Sequence, residues 1–328
     1  MKRSDMSQKP SHKLRNTILT ILLVLIVGGG AFAAYKVHNV KKAIDTSYRS
    51  AGISKSRDAD GQIKAKKPVS ILIMGTDTGA LGRDYKGRTD TMMLVTMNPS
   101  KNKTTITSIP RDTAVNIPGY ASESPAKINA AYAFGSAGTA IKTTQQLLNV
   151  PIDFYAIMNM GGMEKVINAV GGIDLTPTIS FKYEGYTFTK GEETHMDGKK
   201  ALAYSRMRYD DPQGDYGRQT RQRQVITTVI GQSGSINNLL NEDFLDSVSK
   251  QMQTDLTFSD LTGLAQNYRS AKKNVEQTHL QGTGHEINYQ SMEVMSQSEL
   301  QRVTNLNREN LGLSQADTGT IAVSASGN

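Results

Sequence analysis

A chain of 328 residues has room for one large domain or two small ones with a substantial core, and its net charge of +8 would suggest an anionic partner. The charge is unevenly placed: residues 1–15 carry +4 and residues 36–69 carry +6, which leaves −2 for the rest of the chain. A near-neutral body argues against a nucleic-acid-coating protein, whose basic charge should lie on the folded domain, and the absence of cysteine agrees with an exported domain that avoids stray oxidation.

In chain order, residues 1–15 read as a short cytoplasmic tail. Residues 16–35, NTILTILLVLIVGGGAFAAY, carry no charge and are long enough to cross a hydrocarbon layer, which needs about 20 apolar residues. Ala31-Phe32-Ala33 offers the alternative of a cleaved export signal. The length of the apolar stretch favours a retained anchor. Basic residues flank it on both sides, so orientation rests on the short tail ahead of a single span, which fits a cytoplasmic start and an extracellular body. Residues 36–67 read as a basic stalk with room for some helix, whose lysines and arginines would hold anionic headgroups or wall polymer.

From residue 68 the pattern changes. PVSILIMG predicts a buried strand, and TMMLVTMNPSKNKTTITSIP predicts two strands around an Asn-Pro-Ser turn. SAGTAIKTTQQLLNV and GMEKVINAVGG predict helices, the second closed by glycines, with IDFYAIMNM a strand between them. Alternating strands and helices predict an α/β layered domain with a mixed sheet over 68–309. The small polar tail at 310–328 is expected to be disordered.

Several familiar catalytic constellations are absent: there is no P-loop, no G-x-S-x-G elbow and no H-E-x-x-H, and the five histidines lack ligand spacing. His195, in a polar turn, reads as a surface residue. Chemistry must then rest on Asp and Arg, with or without a metal. YSRMRYDDPQGDYGRQTRQRQ concentrates five arginines and three aspartates. In an extended segment Arg206 and Arg208 would share one face with Met207 buried on the other. After the turn, a helix from Gly217 would put Arg218, Arg221, Gln222 and Val225 on one face. Clustered guanidiniums repel unless an anion sits between them, and their planar forks match phosphate oxygens. The alternative is a solvated loop neutralised by Asp210, Asp211 and Asp215, with at least one of Arg221 and Arg223 an ordinary surface residue and Arg223 tolerant of lysine. Asp77 follows one strand and Asp90 precedes another beside Gly-rich turns, which suits Mg²⁺, although caps and turns use Asp as readily. Arg111, just after a strand, either extends the anion site or pairs with Asp112.

DTMMLVTMNP, TSIPRDT, KINAAYAFG, VGGIDL, DGKKALAYSRMRY and GDYGRQTRQRQ, in this order behind one N-terminal span, resemble the LytR-CpsA-Psr family over about Val69 to Gln232. The resemblance implies a membrane-anchored, exported α/β/α domain of a Gram-positive bacterium. Such a protein moves an anionic glycopolymer, such as teichoic acid or capsule, from a polyprenyl diphosphate carrier to peptidoglycan. It further implies that Asp77 and Asp90 hold Mg²⁺ and that Arg111, Arg206, Arg208, Arg218 and Gln222 contact the diphosphate, with the lipid tail in an apolar groove. Asp90 and Asp215 are both candidates for the base, and Asp215 for substrate contact. Many relatives carry an arginine where this chain has Gly79, so Arg83 is a substitute candidate, while Arg88 and Lys127 are placed at the rim. The implied partners are the lipid-linked polymer, peptidoglycan and the membrane, with no nucleic acid. A membrane-bound regulator that binds polyprenyl phosphate without turnover is the other reading; it would not need both carboxylates. A DNA-binding attenuator is discouraged by the span and the near-neutral body.

Overall fold

Strand β1 (Val69–Thr76) is the run predicted from PVSILIMG, and its residues alternate between two buried faces. In the computed structural model, which describes residues 38–76, 87–232 and 249–323, this strand is central to a six-stranded sheet. β2 (Thr89–Asn98) and β3 (Lys103–Ser108) form the predicted hairpin, in which the Asn98 side chain accepts from Lys101 N at 3.0 Å to close the turn. β6 (Phe154–Asn159) lies parallel to β1, while β11 (Met252–Thr254) and β12 (Asn274–His279) close the two edges. The spatial order is β11-β6-β1-β2-β3-β12, with parallel and antiparallel pairs mixed.

Period-two alternation sends Leu72, Met74, Met92 and Leu94 to one face of the sheet, where they pack with helix α3 (Ala130–Leu148) and helix α8 (Gln297–Asn310). Polar side chains lock α8 in register. Asn310 Nδ2 donates to Thr96 O at 2.9 Å, and Asn307 Nδ2 donates to Thr107 Oγ1 at 3.1 Å, both fully buried. The opposite face presents Ile71, Ile73, Met93, Val95 and Ile106 to α2 (Ala59–Lys64), α7 (Phe258–Asn267) and α6 (Asp215–Gln232). The result is an α/β domain with helices on both sides of a mixed sheet. A separate cluster of Ile167, Phe181, Phe188, Met196, Tyr204 and Met207 joins α4 (Met160–Ala169), α5 (Gly198–Arg206) and α6.

Both ends of the predicted domain need correction. Residues 36–67 are not a free stalk throughout: the helical part allowed for there is present as α1, covering 38–47, but the segment after it belongs to the domain. Tyr155 donates to Arg49 O at 2.8 Å, Ala59 and Ile63 are buried, and Arg57 grips the buried Asp153 carboxylate with two hydrogen bonds of 2.6 and 2.5 Å. Residues 311–323 are not a disordered tail either. Leu311 and Thr318 are buried, Gly319 N donates to Leu147 O at 3.1 Å, and Asn116 N donates to Ile321 O at 2.8 Å. Spaced anchors of this kind escape a compositional reading because each is a single residue among small polar ones. The predicted tail at 1–15 and span at 16–35 lie outside the described residues, and among the described residues no helix is long and apolar enough to cross a membrane.

Candidate active site

At one end of the sheet, β1 finishes where β2 begins, with Thr76 paired both to Thr89 and to Asn159 at the end of β6. Asn159 then caps α4 by accepting from Gly162 N at 2.9 Å, so the chain turns over the sheet end. A cavity of about 660 Å³ opens there, between the sheet face that carries Ile73, Thr91 and Met158 and helices α4, α5 and α6. Its inner wall is apolar, with Met163, Val166, Leu202, Val225, Ile226 and Val229. Asp90, Arg111, Arg206, Arg208, Arg218 and Gln222 also line it. Six of the nine predicted site residues therefore meet at one cavity. Asp77 and Arg83 lie outside the described residues, and Asp215 stands just behind the wall.

The arginines reach the cavity along different routes. The expectation of an extended 206–208 segment is corrected: α5 runs through Arg206, started by Asp197, whose carboxylate accepts from Lys200 N at 2.8 Å. Met207 and Arg208 lie beyond the helix, and Met207 is fully buried as expected, though by its place at the end of α5 and not by strand alternation. Arg206 makes a half-exposed ion pair with Glu184 at 2.9 Å, and Arg208 lies near the exposed Tyr209 ring. Arg218 is nearly buried; its Nη2 sits 2.5 Å from Asp215 Oδ1, and Gln219 holds the other Asp215 oxygen at 2.9 Å. Burial and the neighbouring Arg111 and Arg208 cations pull the Arg218 guanidinium below its ordinary pKa, with Asp215 and Asp90 opposing. For Arg111 burial also acts downward, but the contact with Asp90 and the charges of Asp112 and Asp215 outweigh it and raise the value.

Several polar atoms at this junction are buried without a hydrogen bond among the described residues: Arg111 Nε, Arg218 Nε and Nη2, and Gln222 Oε1. The Arg218–Asp215 contact is thus an ion pair without hydrogen-bond geometry. Arg111 Nε likewise lies 3.7 Å from Asp112 Oδ2, so of these donors Arg218 Nε alone has neither a hydrogen bond nor an ion pair among the described residues; such a donor costs about 1–3 kcal/mol, and beside the Arg111 guanidinium it suits an acceptor with several oxygens.

Other predicted residues fall elsewhere. Arg221 is 1% exposed and belongs to the core: it contacts Asp211 and Met207 O, donates to Tyr204 O at 2.9 Å and lies against the Phe181 and Tyr204 rings. Arg223 is also buried, donating to Ser108 Oγ at 2.8 Å and to Thr220 Oγ1 at 2.9 Å, and burial pulls its guanidinium down to about 10. Neither is the surface residue expected of one of them. Lys127 pairs with Asp112 at 2.8 Å, and Arg88 is exposed. His195 is exposed as expected, but it lies in a short strand, Thr194–Met196, and not in a turn, bonded to Asp174 of the paired strand at 2.7 Å. Of the apolar liners the sequence reading had only Val225, on the Arg218–Gln222 face; it missed Ile226 and Val229, which continue that face at helical spacing, and Met163, Val166 and Leu202.

Among the described residues no group of three His, Cys, Asp or Glu side chains could hold a metal. Asp90, part-exposed at the cavity and in contact with Arg111, is a single carboxylate. That fits Mg²⁺, which is commonly bound by one or two carboxylates with substrate phosphate and water completing its shell.

The LytR_cpsA_psr family model matches residues 33–309. The chain is 42% identical over 287 residues to the Enterococcus faecalis protein named polyisoprenyl-teichoic acid--peptidoglycan teichoic acid transferase TagU, covering 87% of this chain and 92% of that one. The crystal structure of Bacillus subtilis TagU superposes with a TM-score of 0.60 at 37% identity, over 76% of this chain and 99% of that one. A structure described as TagT bound to LI-WTA gives a TM-score of 0.64 at 28% identity, over 80% of this chain and 95% of that one.

Proposed function

The chain belongs to the LytR_cpsA_psr family, and from that premise we propose that it transfers an anionic glycopolymer of the teichoic-acid kind from a polyprenyl diphosphate carrier to peptidoglycan at the outer face of the membrane. The carrying observation is the placement of Arg218, with a donor unsatisfied among the described residues, beside Arg111 where the polar mouth of the cavity meets its apolar wall. A lipid diphosphate has that division: oxygens at one end for the guanidinium forks, a hydrocarbon chain for the wall of Val225, Ile226, Val229, Met163 and Leu202.

In the reaction the acceptor hydroxyl oxygen forms a bond to the phosphorus that carries the donor sugar, and the bond from that phosphorus to the bridging oxygen breaks. Polyprenyl phosphate leaves with the electron pair, and a phosphodiester remains. Negative charge spreads over the non-bridging and leaving oxygens, which Arg111, Arg206, Arg208 and Arg218 surround. Asp215 is held by Arg218 and Gln219 and does not line the cavity, so it positions Arg218, while Asp90 is the described carboxylate within the cavity that can take the hydroxyl proton. Asp90 with Asp77 would hold Mg²⁺, which when bound supplies further charge neutralisation at the diphosphate.

The test is transfer by the full chain in detergent micelles, read as polyprenyl phosphate released and polymer made resistant to extraction from sacculi. Parent protein should turn over with added Mg²⁺ and stop on chelation, and Asp90→Asn should fold normally yet lose at least roughly a hundredfold in rate. Tight binding of the lipid with no release under any metal condition would favour the regulator reading instead.

A further inference from the structure

Three large hydrophobic side chains stand exposed among the described residues, Tyr48, Tyr209 and Tyr289. Tyr209 is at the cavity itself. Tyr289, 97% exposed, is at the tip of a hairpin formed by β13 (Gly282–Ile287) and β14 (Gln290–Met295). This hairpin starts from the catalytic end of the sheet, because β12 ends at His279 beside Ser108, three residues before Arg111. Its base is fastened to the site: Glu293 N donates to Asp112 O at 2.8 Å, and the Tyr216 hydroxyl accepts from Gly282 N at 2.8 Å while donating to Glu293 Oε2 at 3.0 Å. Met292 and Val294 pack on Ala114 beneath it.

Two features of the tip go beyond packing. Asn288 and Tyr289 form the two-residue turn with φ of 49° and 57°, a conformation that suits Asn but strains an aromatic residue. Residues 282–295 also hold Glu286 and Glu293, the latter at the base of the hairpin, with His285 and no lysine or arginine, alongside the uncharged side chains of Thr283, Gln290 and Ser291. Such a surface repels an anionic polymer or an anionic membrane and suits a sugar chain, whose apolar ring faces stack on tyrosine and whose hydroxyls meet amides and carboxylates.

Building on the transferase reading, we infer that the β13–β14 hairpin, through Tyr289, binds the glycan strand of the peptidoglycan acceptor and presents its hydroxyl to the cavity. The turn itself supplies the test, since Tyr289→Gly deletes the ring and relieves the backbone. The full chain in detergent is sedimented with purified polymer-free sacculi. Tyr289→Gly should bind them roughly three- to tenfold more weakly, with thermal stability equal to or slightly above the parent's and donor-lipid binding unchanged, and should raise the acceptor KM with kcat near the parent value. Tyr289→Trp should retain binding. Equal sedimentation of parent and Tyr289→Gly overturns the assignment even if transfer proceeds. So does a Tyr289-dependent gain in binding to phosphatidylglycerol vesicles in place of sacculi. A parent chain that binds sacculi through Tyr289 but releases no polyprenyl phosphate keeps this surface and overturns the transferase.

Discussion

A guanidinium that faces a cavity and one sealed in a core answer differently to the same substitution. Arg206 and Arg218 present planar donors to the cavity, and lysine keeps the charge while losing the fork. Arg206→Lys and Arg218→Lys are each expected to weaken polyprenyl diphosphate binding at least roughly tenfold, about 1.4 kcal/mol, with unfolding of Arg206→Lys unchanged; calorimetric titration and a thermal melt check both. Arg221 answers through stability instead. Its removal leaves Asp211 charged and 4% exposed, so Arg221→Ala should cost about 3–5 kcal/mol in a urea titration, whatever its effect on ligand. Arg223 lacks a carboxylate partner among the described residues and is held by two hydroxyls. Because burial lowers its pKa to about 10, the folded chain gives up that proton before the unfolded one does. Its burial is therefore a cost at neutral pH that eases only above about pH 10.

At the scale of elements, α3 contains a break at the residue where the sequence predicted its helix to begin. Gly135 and Ser136 leave helical geometry, and Ser136 sits at φ 61°, ψ −161°, a region that essentially only glycine occupies without strain. The side chain of Ser136 is exposed and takes no part in the core. Ser136→Gly should therefore raise stability by about 1 kcal/mol, seen as a rise of about 2 °C in the melting temperature with donor binding intact. In α6 the helical repeat serves two ends: Arg218, Gln222, Val225 and Val229 line the cavity, while Arg221 ties the helix to the turn after α5. One helix thus sets the polar mouth and the apolar wall in a fixed relation.

For the molecule as a whole, the last described segment is a strap across the sheet layers. Residues 311–323 bond to α3 through Gly319, to α8 through Thr318 and Ala316, and to β4 (Ala114–Val115) through Val323. Ending the chain after Asn310 removes buried Leu311 and these bonds, so it should cost at least about 2 kcal/mol in denaturant unfolding. Because Ala114 of β4 and Val323 pack with Met292 and Val294 of the hairpin that carries Tyr289, the same truncation should also reduce sacculi binding more than donor binding. Equal stability with and without the strap would show that its contacts are made no better than those of the unfolded chain with water.

Alternation and helical spacing are local properties, and they determined β1, the β2–β3 hairpin, β6 between the helices α3 and α4, and the shared face of Arg218, Gln222 and Val225, although Arg221, expected on that face, turns into the core. The six ordered motifs carried the family. What the sequence could not assign was which of many similar arginines loses water on folding. Arg221 and Arg223 differ from Arg218 only by their angle around α6, and which angle meets the core, the sheet end or the cavity depends on how α6 lies against β3 and α5. The packed segments at 49–67 and 311–323 were likewise decided by tertiary structure, since their few apolar anchors and backbone bonds find partners far away in the chain. Charge and spacing are written along the chain, whereas desolvation is a property of the fold.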